Sequence, residues 1–94
     1  MQPPVEPAQG VDDDERQLAR LRWRSRRGMR ELDVLLGRYL ERAWPTAGAD
    51  ERLVFERLLR CEDTDLWAWL MGRARSDDEA LDTLVQRIRA LPAR

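Results

Sequence analysis

The chain has 94 residues, of which 43% are hydrophobic and 37% charged, and its formal net charge is -1. This length predicts one domain with a modest core. The slightly acidic balance argues against a general nucleic-acid binder, which normally carries a clear basic excess. Histidine is absent and the single cysteine is Cys61, so the commonest general base, the commonest metal ligand and any disulfide framework are missing. We therefore expect a protein that is not an enzyme.

No stretch approaches the ~20 consecutive apolar residues that a membrane-spanning helix needs. The acidic, proline-containing N-terminus resembles neither a secretory signal nor a basic transit peptide. A single cysteine fits a reducing compartment. Together these features predict a soluble, cytoplasmic protein.

Residues 1–12 combine prolines and acidic side chains with few apolar residues, which predicts a disordered tail before a single domain over residues 13–94. Helix 1 is expected from about Asp13 to Ser25, with only a narrow apolar stripe. Between Arg16 and Arg30 there are seven arginines and no acidic residue. Helix 1 is thus a thin, basic helix that needs neighbours.

Helix 2 is predicted from about Met29 to Ala43 and is expected to be the central helix. Its apolar residues recur at steps of three and four along one helical face, at Met29, Leu32, Leu36, Tyr39 and Ala43. Gly37 lies inside this helix at a cost of ~1 kcal/mol relative to alanine. Close packing against a neighbouring helix would explain that glycine.

Three shorter helices are predicted in the second half of the chain. Helix 3 spans about Ala49 to Cys61, and helix 4 spans about Thr64 to Met71 with Asp63 and Asp65 as capping residues. Helix 4 is apolar nearly all round, and both of its tryptophans, Trp67 and Trp69, are expected in the core.

Ser76 and Glu79 form a capping-box pattern that begins helix 5, which runs to about Ala90 before Pro92 ends it. No alternating pattern of a β-strand occurs in the chain. The predicted fold is therefore all-α, a compact five-helix bundle.

The stretch from Arg27 to Glu31 separates the basic helix from the central one. Gly28 interrupts the basic run and predicts a backbone break. In a purely structural interpretation Gly28 is the N-cap of helix 2, Glu31 is its capping-box partner, and Arg27 pairs with an acid of this protein. The stretch is otherwise a surface that a partner contacts. A third interpretation uses Trp23 and the arginines Arg16 to Arg30 to stack on and neutralise a nucleic acid.

Two blocks of the sequence resemble the SdhE-type family, bacterial relatives of mitochondrial succinate dehydrogenase assembly factor 2. The first block is residues 18–33, LARLRWRSRRGMRELD, which contains the family's Arg-Gly-x-x-Glu motif as Arg27, Gly28 and Glu31. The second block is residues 55–70, FERLLRCEDTDLWAWL, which is similar to the family's Asp-x-Asp-Leu-aromatic-x-Trp-Leu pattern. The resemblance covers about residues 14–91.

The resemblance implies a five-helix assembly factor that promotes covalent attachment of FAD to the flavoprotein subunit of succinate dehydrogenase, and often of fumarate reductase. The FAD is carried by the partner, so no cofactor of this protein is expected, and we expect a monomer. By position, the primary contacts to the partner are Arg27, Gly28 and Glu31. Weaker candidates surround them: Met29, Arg30, Asp33, Trp23 and Arg26. The alternative is a small regulatory, antitoxin-like or nucleic-acid-associated protein that uses the Arg16–Arg30 surface.

Overall fold

The computed structural model describes the backbone of residues 9–92 and the side chains of residues 13–92, and it contains five α-helices. A 3₁₀ turn at Trp44–Thr46 follows the second helix, and no strand occurs among the described residues. The predicted all-α five-helix bundle is therefore confirmed. The helices are α1 (Gln9–Arg24), α2 (Arg30–Arg42), α3 (Ala49–Leu59), α4 (Asp63–Leu70) and α5 (Glu79–Ala90).

The helix boundaries agree with the predicted ones to within a few residues, except at the start of α1. This helix begins at Gln9 and so includes residues 9–12 of the predicted tail. Its acidic residues after that point lie in the N-terminal half, where negative charge interacts favourably with the helix dipole. The rest of the predicted tail, residues 1–8, lies outside the described residues. None of the described helices is long and apolar enough to cross a membrane.

Helix α2 lies at the centre of the bundle, as predicted, and packs against α1, α4 and α5. Four of its side chains are buried in the core, and Met29 just before it is half-buried against the same core. A Cβ atom built on Gly37 meets nothing within 4 Å. The explanation of Gly37 by close internal packing was therefore wrong. The buried residues of α2 are Leu32, Leu36, Tyr39 and Leu40.

A cluster of aromatic rings joins α2 to α3. The rings of Tyr39 and Phe55 stack with their centroids 4.5 Å apart, and Trp44 meets the Phe55 ring edge-on at 5.9 Å. The Tyr39 hydroxyl donates a 2.7 Å hydrogen bond to Glu51. Burial of the Tyr39 hydroxyl and its hydrogen bond to Glu51 both raise the pKa of this tyrosine, because each disfavours the phenolate.

Helix α4 has one apolar side and one half-exposed side. Leu66 and Leu70 are fully buried, whereas Trp67 and Trp69 are only half-buried. The expectation that both tryptophans belong to the core was thus wrong in part, since two residues two positions apart cannot share one helical face. Trp69 is the one that packs against the core.

The connection from α4 to α5 is closed by backbone geometry at Gly72. Gly72 has a φ of +77°, and its N–H donates to the Trp69 carbonyl while the Arg73 N–H donates to the Ala68 carbonyl. These two bonds make a Schellman motif, in which glycine is favoured because it has no Cβ atom.

The N-cap of α5 lies two residues later in the chain than the predicted capping box places it. Its N-cap is Asp78, whose carboxylate accepts a hydrogen bond from the Leu81 N–H. The hydroxyl of Ser76 instead accepts from the Asp78 N–H. The Ser76–Glu79 capping box was therefore wrong, because Asp78 offers a cap acceptor closer to the first free amides. The same Leu81 N–H and the Arg57 guanidinium lower the pKa of Asp78.

Candidate functional site

Helix α1 ends in a tight turn that leads directly to α2, and residues 25–29 are called the α1–α2 corner below. Ser25 is buried, and both its N–H and its hydroxyl donate to the Leu21 carbonyl, at 2.9 and 2.7 Å. The Arg26 N–H donates to the Trp23 carbonyl at 3.2 Å. These bonds satisfy two of the last four carbonyls of α1, the groups that have no partner within the helix itself. Hydrogen bonds therefore hold the backbone in place where the corner begins.

The backbone of the corner reverses at Gly28, whose φ is +81°. Residues other than glycine rarely adopt this left-handed conformation. The Asp33 carboxylate lies one turn into α2 and accepts hydrogen bonds from the N–H groups of Arg27, at 2.6 Å, and Gly28, at 3.2 Å. A Cβ atom built on Gly28 meets nothing within 4 Å. The backbone conformation thus favours glycine here, and the space beside it is open.

The predicted capping arrangement of α2 was wrong. Its N-cap is Met29, not Gly28, and Met29 makes no side-chain capping bond. Glu31 is the second helical residue and its side chain is exposed. Asp33 reaches back to the corner amides instead, and so the Glu31 carboxylate has no capping partner and remains available to another molecule.

Arg27 connects the α1–α2 corner to the end of α3 and the start of α4. Its guanidinium donates a 2.9 Å hydrogen bond to Asp63 at the start of α4, and a second one to the Leu59 carbonyl at the end of α3. The Arg27 side chain is only 15% exposed, and its buried Nε has no hydrogen-bond partner among the described residues. Of the two interpretations of Arg27, the structure therefore shows internal pairing. We call this arrangement of Arg27, Asp63 and the Leu59 carbonyl the Arg27 anchor.

Asp63 was expected to cap α4, and this was wrong. The N-cap of α4 is Glu62, which makes no side-chain capping bond, while the Asp63 carboxylate binds Arg27. A charged donor such as the Arg27 guanidinium competes well against backbone amides for a carboxylate. Sequence inspection missed this role, although Asp63 belongs to the second block of the family resemblance.

The eight predicted contact residues divide into an outer and an inner group. Two members of the inner group, Asp33 and Met29, are half-buried, and Arg27 forms the anchor. The outer group is exposed on or next to the corner, and it includes one large apolar residue, Trp23, which is 76% exposed. Tryptophan is one of the residue types that are enriched at protein–protein interfaces relative to the rest of the surface. The outer group is Trp23, Arg26, Gly28, Arg30 and Glu31.

Groups suited to covalent or metal chemistry are sparse in the described part of the chain. No cluster of three metal-ligating side chains occurs there. Cys61 lies beside the Arg27 anchor, where partial burial is the main cause that raises the pKa of its thiol. Its Sγ donates to the Arg57 carbonyl at 3.6 Å. A raised pKa keeps the thiol protonated near neutral pH, and a protonated thiol is a poor nucleophile.

Comparison with known families places the chain in one of them. Residues 19–92 match the Sdh5 family, described as the flavinator of succinate dehydrogenase, and the chain belongs to this family. The matched region includes the whole corner, the Arg27 anchor and all of α2 to α5.

Three relatives of this chain share one name. The chain is 54% identical over 81 residues to the FAD assembly factor SdhE of Xylella fastidiosa strain 9a5c, covering 86% of this chain and 84% of that protein. It is 49% identical over 75 residues to the FAD assembly factor SdhE of Methylococcus capsulatus, covering 80% and 90%. The protein of the same name from Pseudomonas aeruginosa is 44% identical over 75 residues, covering 80% and 89%.

Proposed function

We propose that this protein binds the flavoprotein subunit of succinate dehydrogenase through the α1–α2 corner and promotes covalent attachment of FAD to that subunit. The observation that carries the proposal is the corner itself, an Arg-Gly-x-x-Glu motif held rigidly from behind while Gly28 and Glu31 face outward. The description of the family and the name of its relatives support this choice of partner. We propose that the protein acts as a monomer in the bacterial cytoplasm.

The geometry of the corner suits close approach by another chain. Gly28 has no side chain and open space beside it, so a partner's backbone can come within van der Waals distance. Trp23 offers a large apolar surface, and Arg26, Arg30 and Glu31 offer charged groups around it. Exposed aromatic and arginine side chains are the residue types that contribute most to protein–protein affinity. The Arg27 anchor lowers the entropy lost on binding, because the corner is already ordered.

The protein's own residues offer positioning rather than a nucleophile. Covalent flavinylation forms a bond between a histidine nitrogen of the partner and a methyl carbon of its flavin. The methyl group and the histidine each lose a proton, and the electron pair of the broken C–H bond enters the flavin ring, which becomes reduced and negatively charged. A bound helper that favours one conformation of the partner increases the fraction in which the two atoms are aligned. The exposed guanidinium groups of Arg26 and Arg30 are also suited to stabilise negative charge at the interface. We propose a non-catalytic role on this basis, with FAD held by the partner.

The test is covalent flavin on the partner in cells with and without this protein. Because a covalent flavin stays attached after denaturation, its fluorescence in a denaturing gel reports flavinylation directly. We expect deletion of the gene to lower the fluorescence of the succinate dehydrogenase flavoprotein band, and the wild-type gene to restore it. Fluorescence that is unchanged by deletion would contradict the proposal. The same gel read at the fumarate reductase band tests whether that flavoprotein is served as well.

Matched variants then assign the effect to the corner. Trp23→Ala and Glu31→Ala remove exposed side chains of the outer group, and we expect both to restore less fluorescence than the wild type. Leu53→Ala is the control, because Leu53 is also a large exposed apolar residue, at 61%, but lies on α3. Full restoration by Leu53→Ala together with weak restoration by the corner variants supports the assignment. Equal restoration by all three variants excludes it.

A further inference from the structure

A groove runs along the exposed side of α2 and continues from the α1–α2 corner. Its floor is formed by Val34, Gly37 and Leu40, with the end of α1 along one edge. Val34 is 49% exposed, although it is an apolar residue in the middle of the central helix. We call this surface, from Asp33 to Arg42 with Arg22 and Arg26 at its edge, the α2 groove. No described residue fills it.

Gly37 makes the floor of the α2 groove deep. Glycine inside a helix lowers helix stability, because it loses more conformational freedom on folding than any other residue. Its φ is an ordinary helical one, and a Cβ atom there meets nothing within 4 Å. Neither backbone conformation nor internal packing therefore requires glycine at this position. What glycine does provide is a half-buried strip of helix backbone without a side chain, which another chain can approach closely.

The rim of the α2 groove is mainly basic. Arg22, Arg26, Arg38 and Arg42 line it, and none of them makes an ion pair or a side-chain hydrogen bond with another described residue. Two acidic residues also line the groove, namely Asp33 and Glu41. Four arginines against two carboxylates leave the groove with an excess of positive charge around an apolar floor.

We infer that the α2 groove is a second contact surface, which binds an acidic segment of the flavoprotein subunit that carries an apolar side chain. The apolar side chain would lie over Val34 and Gly37, and the carboxylates would pair with the arginines of the rim, which suit bidentate binding of carboxylates. Continuity with the corner allows one partner to occupy both surfaces at once. This inference rests on the proposed function, since the same subunit is the partner.

Gly37→Gln tests the groove without damaging the fold. A glutamine side chain fills the floor and is a better helix former than glycine, so we expect the melting temperature to rise by roughly 2–4 °C. We expect affinity for the purified flavoprotein subunit, measured by calorimetry, to fall by about tenfold or more. Lower affinity in a more stable protein cannot come from unfolding. An unchanged affinity, or a fall in melting temperature, would overturn the inference.

Charge reversal tests the rim. We expect Arg38→Glu and Arg42→Glu each to weaken binding and to make it less sensitive to salt, because a screened attraction has been removed. Arg73→Glu is the matched control, since Arg73 is exposed in the loop after α4 and away from the groove. Equal losses in all three variants would indicate a general charge effect and would overturn the inference.

Two further measurements separate this inference from its alternatives. If Gly28→Arg abolishes binding while Gly37→Gln binds like the wild type, the groove inference fails and the proposed function stands. If both variants bind like the wild type, the proposed function fails as well. Binding of a short single-stranded RNA is measured in parallel. Loss of RNA binding in Gly37→Gln with unchanged subunit affinity would assign the groove to nucleic acid and overturn the inference.

Discussion

Replacing Arg27 with alanine separates support of the corner from contact with a partner. The change removes a charge-assisted hydrogen bond to the Leu59 carbonyl, which is worth about 1.5–3 kcal/mol. It also removes the ion pair with Asp63, whose side chain is 42% exposed, so that this pair contributes only about 0.5–1 kcal/mol. Removal of the unpartnered Arg27 Nε offsets part of the loss. We expect Arg27→Ala to lower the free energy of unfolding by about 2 kcal/mol.

Urea unfolding followed by helical circular dichroism measures this loss. Because Arg27 is an inner residue, we expect Arg27→Ala to weaken both stability and binding to the flavoprotein subunit. Glu31→Ala is the control, since Glu31 is exposed and has no partner among the described residues, and it should weaken binding alone. Arg27→Lys should fall between wild type and alanine, because lysine cannot donate along two directions from one planar group. Stability of Arg27→Ala within about 0.5 kcal/mol of wild type would refute the anchor.

Three other predictions concern the scaffold. Tyr39 is the single tyrosine, and its pKa is raised in the folded state. The stability that this protonated tyrosine contributes should therefore be fully present below the unfolded pKa of about 10 and fall as the pH rises above it. Phenolate absorbance at pH 10 to 11 that is equal in native and urea-unfolded protein would contradict this prediction. Tyr39→Phe should lower the free energy of unfolding by about 1 kcal/mol, read from the urea midpoint, because only one hydrogen bond disappears and Glu51 keeps its ion pair with Arg87. Gly72→Ala should lower the free energy of unfolding by about 1 kcal/mol or more because of the positive φ at this position, and Gly72→Asn should lower it by less. Equal stability of wild type, Gly72→Ala and Gly72→Asn in thermal melts would argue against the Schellman geometry.

The helices could be predicted from sequence patterns because helix formation depends mainly on residues that are close together in the chain. The three- and four-residue spacing from Leu32 to Ala43 identified the central helix, and the burial of those positions confirmed it. The family resemblance is confirmed by the match over residues 19–92. The central helix depends on neighbouring residues in the chain, and the family assignment depends on comparison between sequences.

The internal arrangement of the corner could not be predicted in the same way. Arg27 and Asp63 are 36 positions apart, and only the packing of α1 and α4 around α2 brings them together. Local rules assign Asp63 to a helix cap and Glu31 to a capping box, and both assignments failed because long-range partners or a left-handed glycine took precedence. The contact role of the outer residues stays a prediction, which depends on a partner chain.

The most direct test of the corner as the partner-binding surface is the affinity of the flavoprotein subunit for wild type, Gly28→Asn and Gly28→Arg. Asparagine tolerates the left-handed conformation of Gly28 better than other residues, so Gly28→Asn keeps the corner's backbone and adds a side chain to the contact. Arginine adds a larger side chain in the same place. We predict a stable complex with wild type, loss of affinity by about tenfold or more in both variants, and near-wild-type helix content throughout. Wild-type affinity in Gly28→Arg would contradict the assignment of the corner as the surface that the partner contacts.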